Sequence, residues 1–142
     1  MGMVELYARS LPNIYKYKNE WMGQHAEEVE ILVLGNSHTC NAINPEYVSA
    51  KMFNLAISGQ EYLYDHYLFF RWVERYKNLE YVIIPVSYFS FYKNVIGNES
   101  ERMQELNYCI YMNCPYHEYD IRYNMESLYF SPCKHPTTIL VF

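Results

Sequence analysis

Apolar positions along the chain change period several times, and each change predicts an element. After Leu11-Pro12-Asn13, residues 14–29 are rich in helix formers and predict a helix, although Glu27 and Glu28 near its end oppose the helix dipole. Residues 30–34 then form a continuous branched and leucine run closed by Gly35, the pattern of a short strand buried on both faces. Asn44-Pro45-Glu46 opens a short helix over 45–50, because proline suits the first helical turn. A second strand over 52–57 stops at Ser58-Gly59. Over 61–77, Tyr62, His66, Phe69, Val73 and Tyr76 fall on one helical stripe, flanked by Leu63, Tyr67 and Phe70, as in a helix packed on a sheet. Residues 81–86 form a third strand of buried type, and 99–112 a further helix. Residues 113–142 are punctuated by Pro115, Pro132 and Pro136, which predicts loops with one terminal strand over 138–141.

The order strand, helix, strand, helix, strand predicts an α/β fold with a mostly parallel sheet and right-handed crossovers. One domain accommodates it, or the first part of one: a helical segment over 1–29, a core over 30–93, and a helix with irregular chain over 94–142. There is no internal repeat. The chain has 142 residues, half of them hydrophobic, enough for one core of ordinary size. Its net charge of -5 and lack of any Lys/Arg run argue against nucleic acid as a partner. The apolar runs are strand-length and too short to span a bilayer, which takes about 20 residues. The N-terminus lacks the pattern of a signal peptide, and an anchor upstream of it is left open, so cytoplasm and cell envelope both fit. Seventeen tyrosines predict an aromatic core before a sugar-stacking surface.

In parallel sheets ligands bind beyond the carboxyl ends of the strands, and three candidate segments lie at such ends. Ser37 follows the first strand, Gly59 the second and Ser87 the third. Gly35-Asn36-Ser37-His38 resembles the first block of SGNH/GDSL-type hydrolases, and Phe53-Asn54-Leu55-Ala56-Ile57-Ser58-Gly59 resembles their second, with the similarity covering roughly residues 14–92. The nearest likeness is to the uncharacterised bacterial SGNH-like proteins whose first block is of Gly-Ser-Ser-His type. The resemblance implies a flavodoxin-like three-layer α/β/α fold and a serine esterase or acyltransferase, with an acylated carbohydrate as substrate class. It also implies Ser37 as nucleophile and the amides of Ser37 and Gly59 as oxyanion donors.

The departures are specific. Asn36 replaces the usual aspartate but keeps hydrogen-bonding capacity. The third block lacks its asparagine and reads Pro85-Val86-Ser87-Tyr88, where the Ser87 hydroxyl is the substitute donor or pocket residue. No late Asp-x-x-His supplies a general base. Either the chain is the first part of a longer protein, as residues 139–142 ending mid-pattern suggest, or His117 or His135 is recruited, or the fold is a binding module that has lost the chemistry.

Other constellations carry less. Cys109, Cys114, His117, Cys133 and His135 are zinc-type ligands, but their gaps match no common zinc module, so neither metal nor cofactor is expected. These cysteines read as small buried hydrophobes, or as a Cys109–Cys133 pair in an oxidising compartment. His38 reads as structural or pocket-lining, Asn54 and Gln60 as loop-ordering or ligand-touching, and Asn36 as a pocket residue. Asp65 lies inside the long helix, and His66, on the apolar stripe, reads as a core histidine.

Overall fold

A computed structural model describes residues 3–86 and 99–114. The chain divides into two compact units, residues 18–94, and residues 1–17 with 95–142.

The unit over 18–94 is built on a three-stranded parallel sheet of order β2-β1-β3, with β1 at Ile31–Val33, β2 at Met52–Asn54 and β3 at Tyr81–Ile83. Leu32 stands opposite Phe53 on one side and Val82 on the other. Helices α3 (Ser37–Ala42) and α4 (Tyr62–Trp72) follow β1 and β2, so this part is α/β with parallel strands, as its apolar pattern predicts. In β1, Leu32 and Val33 point to opposite faces and both are fully buried, so the central strand is covered on each side. Met22, Ala26, Val29, Leu55, Ala56, Tyr64 and Leu68 complete this core. The Trp21 ring stacks flat on Phe53 at 3.8 Å between centroids. The Arg75 guanidinium lies over Trp72 and donates to the Gly23 carbonyl at 2.8 Å.

β3 departs from its expected burial. All three of its residues are exposed, as are Ile84 and Val86 beyond it. Among the described residues β3 pairs with β1 alone, and an apolar run does not by itself reveal whether the faces of a strand are covered. The tyrosines likewise divide, with Tyr15, Tyr64 and Tyr108 buried and Tyr7, Tyr17, Tyr47 and Tyr81 exposed.

The other unit contains helix α1 (Met3–Ser10), inside the helical segment expected over 1–29, and α5 (Glu99–Met112), which the pattern also predicts. Helix α2 (Ile14–His25) begins in this unit, where the Asn13 side chain accepts from the amides of Tyr15 and Lys16 and so caps it. Asn13 also donates to Asn107 at 2.8 Å, and Tyr15 meets Tyr108 edge-to-face at 5.0 Å. Helix α5 ends at Asn113, whose φ of 48° is a left-handed conformation that asparagine tolerates. Cys114 is buried as a small hydrophobe, and Cys40 and Cys109 are free thiols. Cys133, His117, His135 and the strand expected over 138–141 lie outside the described residues.

Candidate functional site

A cavity of about 220 Å³ opens at the carboxyl ends of the three strands. Gly35, Asn36, Ser37 and His38 line it from the exit of β1, Gly59 and Gln60 from the exit of β2, and Pro85 from the exit of β3. Glu61, Tyr62 and Asp65 close it from the first turn of α4.

The β1 exit is held in an unusual conformation. Gly35 has φ of 111°, open in practice only to glycine, and a Cβ there would lie 2.3 Å from Pro85 Cγ and 2.7 Å from Thr39 Oγ1. Close approach and backbone angle together demand glycine, and the sharp turn carries the next residues away from the strand. Asn36 then caps α3, its side-chain oxygen accepting from the His38 amide at 3.1 Å. An aspartate is not needed for this task, since asparagine caps equally well.

Helix α3 was not anticipated, because its six residues include no strong apolar pattern. It makes Ser37 the first residue of a helix, half-buried on the cavity wall. Among the described residues the Ser37 hydroxyl has no hydrogen-bond partner, and the backbone amides of Ser37 and Gly59 donate to no described acceptor. Gly59 sits at φ of 79°, the left-handed turn that ends the β2 exit. Two unspent N–H groups and a free hydroxyl on one small cavity make a site suited to an oxygen that carries negative charge.

The sequence pattern places Asp65 only inside a helix, yet its carboxyl organises the cavity wall. It is 3% exposed, and Oδ1 accepts from the Gly35 amide at 2.7 Å and from Gln60 Nε2 at 2.5 Å. Burial pushes its pKa up, and the two donors offset this only in part. Tyr62 donates from its hydroxyl to the Pro85 carbonyl at 2.7 Å. One turn of α4 therefore ties down all three strand exits. The available signal was an acidic residue in the first turn of a helix otherwise aromatic there.

The remaining candidates separate. Gln60 is buried beside Asp65, and His38 is exposed at the cavity rim. Asn54 does not line the cavity; its amide donates to the carbonyls of Thr39 and Ile43, and its oxygen accepts from the Ala56 amide. That network fixes the end of α3 to β2, so Asn54 orders the loop. His66 is exposed, not in the core: the buried face of α4 is Tyr64, Asp65 and Leu68. Behind the site, the buried Lys18 donates to the Ala56 carbonyl at 2.5 Å. Ser87 lies outside the described residues.

Among the described residues no three His, Cys, Asp or Glu side chains are grouped to hold a metal ion, and no helix is long and apolar enough to cross a membrane. No family model matches the chain, and no curated protein or solved structure matches it.

Proposed function

We propose that the chain carries an SGNH-like fold and that its cavity is the acyl site of a serine ester hydrolase or acyltransferase. The observation that carries this reading is that Ser37 and Gly59, with an unspent hydroxyl and unspent amides among the described residues, line one cavity at the carboxyl ends of parallel strands. Ser37 Oγ attacks the acyl carbonyl, and the two amides bind the oxyanion that forms; removing one such donor typically costs about 2.7–4 kcal/mol of transition-state stabilisation. The cavity of about 220 Å³ is smaller than most ligand pockets, which favours a short acyl group such as acetyl, with the alcohol part outside. An acylated carbohydrate is the substrate class by resemblance.

The experiment is reaction with a fluorophosphonate probe followed by peptide mass spectrometry. The expected result is a single adduct on Ser37, lost in Ser37→Ala together with turnover of an aryl acetate. An unlabelled Ser37 in folded protein refutes the reading. It leaves the second one, a binding module, which is favoured by the absence of a hydrogen-bonded base on Ser37 among the described residues.

A further inference from the structure

The hydrolase reading leaves Ser37 without a base, and the cavity contains one group that fits the role. We infer that Asp65 is the proton acceptor for the Ser37 hydroxyl, acting through Oδ2, an assignment that rests on the serine-ester reading of this cavity. Both donors to Asp65, the Gly35 amide and Gln60 Nε2, bind the same oxygen, Oδ1. The carboxyl is thereby fixed in orientation while among the described residues Oδ2 accepts no hydrogen bond, in a side chain that is almost wholly buried and lines the cavity. Gly35 is two residues before Ser37, and two residues of chain span at most about 7 Å. Ser37 and Asp65 therefore stay on the same small cavity, which both line, and a base on it acts directly or through one water.

The other titratable groups on the cavity are His38, Glu61 and Tyr62. Tyr62 gives its proton to the Pro85 carbonyl. His38 is exposed and follows Ser37 on a helix, where adjacent side chains diverge by about 100°. Glu61 precedes the helix at its N-cap and is less buried than Asp65. Lys18, the buried cation among the described residues of this unit, donates to the Ala56 carbonyl. Burial of Asp65 strengthens it as a base, because the carboxylate is poorly solvated.

The step balances without a co-reactant beyond water. As the bond from Ser37 Oγ to the acyl carbon forms, Oδ2 takes the hydroxyl proton and the carbonyl electron pair moves to oxygen, facing the Ser37 and Gly59 amides. Collapse breaks the bond to the alcohol oxygen, which leaves with the proton from Oδ2. Water then attacks the acyl-serine, giving its proton to Asp65, and the proton returns to Ser37 Oγ as the carboxylic acid departs.

Asp65→Asn tests this cleanly, because the amide oxygen still accepts from Gly35 and Gln60 while the NH2 in place of Oδ2 takes no proton. The rate of fluorophosphonate labelling at Ser37 is measured across pH for both proteins. The wild type is expected to lose rate toward acid with a limb displaced upward from ordinary aspartate, and Asp65→Asn to react about 100-fold slower or worse with that limb gone. Unchanged rate and pH profile in a folded Asp65→Asn overturn the role of Asp65 and leave the serine site standing. An unlabelled wild-type Ser37 overturns the site itself, and Asp65 as its base with it. Should Asp65→Asn not fold, His38→Gln decides: a limb that persists at the same pH, whatever the rate, supports Asp65, and a limb that vanishes with the imidazole overturns it.

Discussion

Replacing Gly35 by alanine is the sharpest test of how the β1 exit is built. The new Cβ would meet Pro85 Cγ at 2.3 Å and Cδ at 2.4 Å, against the 3.5–4.0 Å or so at which carbon atoms pack. Pro85 is a rigid ring whose carbonyl is held by Tyr62, so the contact is relieved only by moving backbone. Overpacking of this kind costs about 1–3 kcal/mol. A φ of 111° adds a further cost of about 1–3 kcal/mol for a residue with a side chain. The sum, about 2–6 kcal/mol, is a large part of the stability of a small domain. Both tryptophans, Trp21 and Trp72, lie in the unit over 18–94, so their fluorescence follows the unfolding of that unit in urea. With a slope near 2 kcal/mol per molar, the midpoint falls by about 1–3 M. Gly23→Ala is the control: its Cβ would meet Trp72 Cη2 at an ordinary 3.7 Å inside helix α2, and it raises stability by about 0.4–1 kcal/mol. A Gly35→Ala midpoint within about 0.3 M of wild type, at unchanged slope, would refute the account of this turn.

Two further outcomes concern the same loops. Asn54→Ala removes three well-formed hydrogen bonds and lowers stability by about 2–4 kcal/mol in the same urea assay; a change near zero would mean that water replaces them at no cost. For Asp65 the folded pKa is raised, so the folded state holds a proton that the unfolded state has already lost. Its contribution to stability is then full below the unfolded pKa and is lost as pH rises through the folded one. Asp65→Asn lacks this loss, and its stability relative to wild type, read from urea midpoints across pH, increases over that window; a constant difference would contradict the burial of the charge.

Strand β1 was legible because a parallel strand covered on both faces leaves an unbroken apolar run, as 31–34 does. Helix α5 was legible because residues 99–112 match a helix from end to end. Two features were not. Helix α4 is apolar on most sides, with Tyr62, Leu63, Tyr64, Tyr67, Leu68, Phe69 and Phe70 in nine residues, so periodicity gave the helix without its phase. Of the expected stripe, His66 and Val73 are exposed while Tyr62, Phe69 and Tyr76 are half-buried, and Phe70 beside it is 54% exposed. Helix α3 was hidden because Asn36-Ser37 is equally a turn signal and a helix cap. The places of Ser37 and Gly59 at strand ends were legible, and both line the cavity. The bonds of Asp65 to Gly35 and Gln60 were not legible, since they depend on which helix face meets the sheet.

That residue also shows what separates holding a site from using it. Ladder bonds join the strands as far as Leu34 to Ile83 and Leu55 to Val33, and one more runs from the Ile57 amide to the Gly35 carbonyl. Beyond these, the exits are linked through α4, by Asp65 to Gly35 and Gln60 and by Tyr62 to Pro85. Asparagine at position 65 would accept the same two donors at Oδ1, with no charge to desolvate. Burying a carboxyl there is therefore a cost that the loop geometry does not require. What aspartate adds over asparagine is an ionisable oxygen facing the cavity that holds Ser37, so the excess cost falls on the one atom through which proton transfer would run.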